Sequence, residues 1–169
     1  MHKIELIDYV LNPIFKVNDN FLEEPDSSMK IGLYKGNCQS IVFKFDKKLG
    51  KEYKGGIFPF FNNHNSGTCK VCDYIIFSEY KNLLYSLIIE LKRGQTSTLP
   101  QIKAGECFVD YVISTVNRLN NTSYTIEKRR ISIREFERKR KTKMRDIEYD
   151  NDNHHFFDQN IFRIVTFLK

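Results

Sequence analysis

Cys72-Asp73-Tyr74-Ile75-Ile76-Phe77 and Ser86-Leu87-Ile88-Ile89-Glu90-Leu91-Lys92 are the two stretches whose reading decides the fold. Both are runs of apolar, β-branched and aromatic residues, which predict strands over Asp73–Phe77 and Leu84–Leu91. The connector Ser78-Glu79-Tyr80-Lys81-Asn82 is short, so the two strands are expected to pair antiparallel as a hairpin. The second run is apolar almost throughout, which predicts a central strand covered on both faces. Successive side chains of a strand point to opposite faces, so Glu90 and Lys92 share one face while Ile89 and Leu91 share the other. An acid and an amine therefore stand side by side at a strand end, with a second acid, Asp73, on the neighbouring strand.

Outward from this hairpin, Arg93 to Pro100 reads as a loop, and Pro100 suits the first turn of a helix. From Gln101 to Leu119, Ile102, Phe108, Val109, Val112, Ile113 and Val116 recur at helical spacing. Asn120-Asn121 ends that helix. Ile41 to Phe45 predicts a further strand, and Tyr124-Thr125-Ile126 and Ile131-Ser132-Ile133 predict strand pieces. Ile161 to Leu168 is expected to close the sheet. Ile4 to Val10 fits either a short strand or a helix. Asp19 to Ser28 and Asp146 to Asp158 are polar and acidic and read as loops. Strands grouped around one long helix give an α/β fold, a central mixed β-sheet flanked by helices, in a single domain spanning 1–169.

The composition is that of a chain able to build a core: 41% hydrophobic and 14% aromatic, with 14 Phe among 169 residues. General disorder is excluded on that ground. The opening Met1-His2-Lys3-Ile4-Glu5 lacks the apolar core of a secretory signal. No apolar run approaches the ~20 residues that span a bilayer. The expectation is a soluble, cytoplasmic protein with no membrane contact. Its net charge of +6 suits a polyanionic partner, though it also serves solubility. The basic residues concentrate between Lys128 and Arg145. Helical spacing there would align Arg134, Arg138 and Lys141 for phosphate contact, against a solvated face with pairs such as Glu135 with Lys139.

Two carboxylates on neighbouring strands can hold a hard divalent cation such as Mg2+ or Mn2+ through oxygen. A metal held there lowers the pKa of bound water and neutralises charge that develops on phosphorus. Asp73, Glu90 and the Leu91 backbone carbonyl are the candidate ligands, and Lys92 the group that orients water or stabilises the pentacovalent oxygens. Arg93 and Lys103 flank the site and are candidates for phosphate contact. The bland alternative is a salt bridge at an exposed strand end.

In Asp73, Glu90 and Lys92, and in their placement on adjacent strands before a helix, the chain resembles the PD-(D/E)xK nuclease superfamily, the restriction-endonuclease-like fold, over about Ile41 to Leu119. The resemblance implies that Asp73 and Glu90 bind the metal and that Lys92 is the family's lysine. Cys72 stands where the family has a proline, a position that supplies no ligand. Some branches carry a Gln on the following helix; Gln101 matches it, with Gly105 where those branches have a Tyr. Glu23 and Glu24 are the nearest upstream acids. The implied activity is metal-dependent phosphodiester hydrolysis of nucleic acid, expected to be DNA, by a homodimer or a subunit of a larger complex. A catalytically inactive binding module of the same fold, or a structural subunit, is the alternative.

Other signals are weaker. Cys69-x-x-Cys72 has the spacing of half a zinc site, with His64, Cys38 and Cys107 elsewhere in the chain; buried thiols are the simpler expectation. His154-His155 carries no assigned role. Phe58-Pro59-Phe60-Phe61 suits base stacking, but core anchoring is the simpler reading.

Overall fold

The computed structural model describes residues 2–45, 58, 61–62, 64–93, 97–134, 147–151, 154–157 and 160–169. Among them are two helices, α1 (Lys3–Val10) and α2 (Leu99–Asn120). The strands are β1 (Lys16–Val17), β2 (Phe21–Glu24), β3 (Met29–Tyr34), β4 (Gln39–Lys44), β5 (Tyr74–Tyr80), β6 (Leu83–Lys92), β7 (Glu127–Arg134), β8 (His154–Phe157) and β9 (Ile161–Arg163). A six-stranded sheet runs in the order β1-β4-β5-β6-β7-β8, and a three-stranded sheet in the order β2-β3-β9. The larger sheet is mixed. Its pairings are antiparallel from β1 to β6 and parallel from β6 to β8.

The β5–β6 hairpin forms as the apolar runs predict, but with a tighter turn. Strand pairing continues through Ser78, Glu79 and Tyr80, leaving Lys81 and Asn82 as the turn. Both have positive φ, 49° and 64°. Two successive residues at positive φ give the turn whose twist matches that of its strands. In β6 every residue from Leu84 to Leu91 is buried, as a central strand requires.

Two apolar layers account for that burial. On one face Tyr74, Ile76, Leu87, Ile89 and Ile131 pack with Leu22, Ile31 and Phe162 of the smaller sheet. On the other Ile75, Phe77 and Ile88 pack with Ile7 of α1 and with Ile102, Val109 and Val116 of α2. Truncating any of the fully buried Ile or Leu side chains to Ala is expected to cost about 2–5 kcal/mol. The expected α/β fold with a mixed sheet is found: α1 and α2 share one face of it, and β2-β3-β9 covers the other. The cover comes from β3, whose Met29, Ile31 and Leu33 are buried while Lys30 and Tyr34 are exposed.

Other expectations shift locally. The predicted loop at 19–28 contains β2, and that at 146–158 contains β8. Both are short strands with polar residues, so neither carries a clear apolar alternation. Of the pieces expected at 124–126 and 131–133, the first lies in irregular chain ahead of β7 and only the second is strand, within β7; the closing segment is β9 followed by a 3-10 turn, Ile164–Phe167. Arg134 ends β7 and does not open a helix, so the helical grouping with Arg138 and Lys141 does not hold at its first member. Arg138 and Lys141 lie outside the described residues, as do Pro59 and Phe60.

Candidate functional site

The β5–β6 ladder ends at the pair Tyr74–Ile89. Just beyond it the two acids take over from the backbone. The Leu91 N–H donates to Asp73 Oδ2 at 2.6 Å, and the Asp73 N–H donates to Glu90 Oε2 at 3.3 Å. Each carboxylate is thus held by a main-chain N–H close to the other acid. The Asp73 carbonyl accepts from the Phe45 N–H at 3.0 Å, which ties this corner to the chain leaving β4. Leu91, whose carbonyl was the third candidate ligand, lies just past the end of this ladder and meets Asp73 through its N–H.

Asp73 and Glu90 are only 8% and 5% exposed. Alternation places both on the helix-covered face, with Ile75, Phe77 and Ile88. Lys92 ends the strand on that same face, half-buried. Among the described residues Lys92 forms no ion pair. A Glu90–Lys92 salt bridge therefore does not form at this strand end.

Cys72 sits directly behind the acids, fully buried, with its Sγ 3.4 Å from the Tyr74 carbonyl. Burial raises its thiol pKa well above the ordinary value, and the Glu90 and Asp73 charges raise it further. A zinc ligand is a thiolate, so this setting opposes a zinc half-site at Cys69 and Cys72. Gly105 of α2 lies against it: a Cβ there would stand 2.7 Å from Cys72 Sγ and 2.8 Å from Ile88 Cγ2. The side chain of Cys72 occupies the space that any residue larger than Gly would need.

The remaining sequence candidates are spread around this centre. Gln101 lies in the first turn of α2, and its buried Oε1 has no hydrogen-bond partner among the described residues. Arg93 follows β6 directly and is exposed; Lys103 is exposed on α2. Arg134 pairs with Lys92 in the parallel β6–β7 register, one strand over from the acids. The upstream acids do not join them. The Glu23 N–H donates to Tyr74 Oη at 3.0 Å, and the Tyr74 hydroxyl donates to the Glu23 carbonyl at 3.0 Å. Tyr74 faces the smaller sheet, so Glu23 and Glu24 belong to the opposite face. Of the acids on α1, Asp8 pairs with Lys16 at 2.6 Å and Glu5 accepts from the His2 N–H at 2.8 Å. Among the described residues no group of three or more His, Cys, Asp or Glu is arranged to hold a metal.

The basic run on β7 is largely neutralised by its own chain. Lys128 pairs with Asp110 at 2.7 Å, and Arg129 with Glu127 at 3.4 Å. The Arg130 guanidinium donates to both Glu106 oxygens, at 2.9 and 2.8 Å.

A buried polar chain that sequence reasoning missed lies beside the acids. Ser132 stands opposite Glu90 in the β6–β7 register. Its hydroxyl is 2.5 Å from Thr98 Oγ1 and 2.7 Å from His154 Nε2. His154 in turn receives Asp150: the His154 N–H donates to Asp150 Oδ1 at 3.0 Å, and Nδ1 lies 3.6 Å from Oδ2. Thr98, Ser132 and His154 are each less than 5% exposed. Burial lowers the His154 pKa, with help from Arg130 and His155, against the opposing pull of Asp150. The available signal was Ser132 itself, a hydroxyl between two core isoleucines; nothing in the sequence joins it to residue 154.

Comparison with known protein families, curated proteins and solved structures finds no match to this chain.

Proposed function

We propose that the chain is a metal-dependent nuclease of the restriction-endonuclease-like type, hydrolysing phosphodiester bonds of nucleic acid, with DNA as the first substrate to test. One observation carries the reading: two buried carboxylates, Asp73 and Glu90, meet at the ends of adjacent strands with the amine of Lys92 on the same face. Burying charged groups is costly, and a site that keeps two of them together has a use for their charge.

The donor chemistry fits Mg2+ or Mn2+. Asp73, Glu90 and the Leu91 carbonyl offer only oxygen, the ligand such hard cations take, and the neighbouring thiol is held protonated. When bound, the ion supplies charge neutralisation at phosphorus and a more acidic water. Asp73 and Glu90 would hold it. Lys92 would orient the attacking water and stabilise the oxygens around phosphorus. Gln101, with a buried oxygen still open to a hydrogen bond, would position that water. Arg93 and Lys103 would meet flanking phosphates as exposed cations.

The test is cleavage of plasmid and single-stranded DNA in Mg2+ and in Mn2+, with Asp73→Ala, Glu90→Ala and Lys92→Met as controls. Cleavage by the wild type that these variants abolish supports the reading. Binding without cleavage under every metal condition would overturn it in favour of a non-catalytic module.

A further inference from the structure

A cleft of about 270 Å3 opens one strand away from the carboxylates, lined by Ser97, Thr98, Leu99, Arg134, Asp150, His154 and Phe156. It is smaller than the ~300–1,000 Å3 of pockets for drug-sized ligands, yet roomy for a phosphate with part of its sugar. Arg134 sets it apart. Lys128, Arg129 and Arg130 on the same strand each have an acidic partner, whereas Arg134 has none among the described residues. Its guanidinium lies instead over the ring of Phe156, 4.3 Å from the centroid. The His154 ring meets Phe156 edge-on at 4.4 Å. An aromatic face fixes the guanidinium but satisfies none of its five N–H donors. A fork of donors held still in a cleft suits a phosphate, which it can grip through two oxygens.

Thr98 ends the polar chain through Ser132 and His154. The Asp150 carboxylate beside Nδ1 favours the ring proton there, so Nε2 accepts from Ser132, Ser132 accepts from Thr98, and the Thr98 hydroxyl is spent within the chain. Asp150 is the acid on this rim, and its carboxylate is turned to the His154 main chain and ring.

We propose that this cleft is a phosphate subsite that grips a backbone phosphate of the nucleic-acid strand beside the scissile one, with Arg134 as its cation. The strand as source of that phosphate rests on the nuclease reading above; the anion chemistry does not. The register supports the placement. Arg134 pairs with Lys92 and Ser132 with Glu90, so cleft and carboxylates lie side by side across one strand gap of about 4.8 Å.

The experiment is calorimetric titration of the full chain, without divalent metal, with a short single-stranded oligodeoxynucleotide and with inorganic phosphate as competitor. The expected result is that Arg134→Gln weakens oligonucleotide binding about tenfold and Arg134→Lys weakens it less, because the charge survives and the fork is lost. Arg134→Gln should also lower the slope of log K against log salt by about one, a change that a merely structural role would not produce. Arg130→Gln, at a paired arginine, should leave affinity within about twofold. Unchanged binding in Arg134→Gln would overturn the subsite. So would Arg134-dependent phosphate binding that the oligonucleotide fails to displace, since that assigns the cleft to free phosphate. Arg134-dependent oligonucleotide binding in a wild type that cleaves in no metal would keep the subsite and end the nuclease reading. Cleavage that Arg134→Gln leaves untouched, in binding and in rate, would do the reverse.

Discussion

Gly105 and Cys72 meet at the boundary between helix and sheet, so close that a Cβ on Gly105 would stand 2.7 Å from the Cys72 sulfur. Two effects oppose each other in Gly105→Ala. Helix propensity favours Ala by up to about 1 kcal/mol. Overpacking costs about 1–3 kcal/mol, and both facing residues, Cys72 and Ile88, are fully buried and have nowhere to go. Packing is expected to win. The melting temperature should fall by about 2–6 °C, given ~2–4 °C per kcal/mol at this size. Adding Cys72→Ala should recover part of the loss, and only part, because Ile88 remains. A Gly105→Ala variant more stable than wild type would show that α2 does not seat this closely.

The carboxylate pair has a readout that does not depend on turnover. An ion that binds only the folded state stabilises it, by about 2.7 kcal/mol at a hundredfold excess over Kd. Mn2+ in the millimolar range should raise the melting temperature of the wild type by several degrees and leave Asp73→Asn and Glu90→Gln nearly unmoved. Thermal melts with and without EDTA decide this; no shift in the wild type removes the metal from the proposal.

Lys92 ends β6 half-buried and without an ion pair among the described residues. Lys92→Met keeps the aliphatic stem and discards the charge. Cleavage should fall by about a hundredfold or more, the scale seen when a single transition-state contact is removed. The melting temperature should stay within about one degree. Normal cleavage by this variant would dismiss Lys92 from the site.

His154 makes stability depend on pH. Its folded pKa is lowered, chiefly by burial, so between that value and the ordinary ~6.5 the unfolded chain binds more protons than the folded one. Stability is then complete above about pH 6.5 and declines as pH falls through the depressed value. The wild type should lose melting temperature as pH falls below about 6.5, and His154→Gln should show a shallower slope there even if its starting point is lower. Parallel slopes would place the pH dependence elsewhere.

Arg130 and Arg134 lie four residues apart on β7 and are expected to behave in opposite ways. Arg130 joins β7 to α2 through two hydrogen bonds to Glu106, with side chains only 20% and 16% exposed. Arg130→Gln should cost about 1–2 kcal/mol of stability and little nucleic-acid affinity. Arg134→Gln should spare stability and reduce affinity. Urea melts and binding isotherms on the two variants separate these roles.

The hairpin and its acids were legible in the chain because period-two alternation and β-branched runs are local signals. They placed β5 and β6 within three residues of their ends and put Glu90 and Lys92 on one face. The long helix was legible for the same reason, from Ile102 to Val116 at helical spacing. Strand β8 was not legible. His154-His155-Phe156-Phe157 is short, and two of its residues are core only because β7 lies beside it. Strands β2 and β3 were missed on similar grounds: their apolar face acquires meaning from the sheet that it covers. The basic run on β7 misled because charge alone does not reveal pairing, and Asp110 and Glu106 approach it only after α2 has folded back.

The sequence by itself determined the elements whose hydrophobic period is strong, and with them the two acids and the lysine. It determined that Asp73 and Glu90 would be neighbours, since a tight hairpin leaves few registers open. Only the tertiary structure decided which groups surround them. Thr98, Ser132 and the Asp150–His154 pair come from three separate regions of the chain, and a hydrogen bond between distant residues leaves no periodic trace. Packing also decided that Glu23 and Glu24 lie on the far face, that Gly105 is required by Cys72, and that Arg134 alone among the described arginines of β7 has no acidic partner.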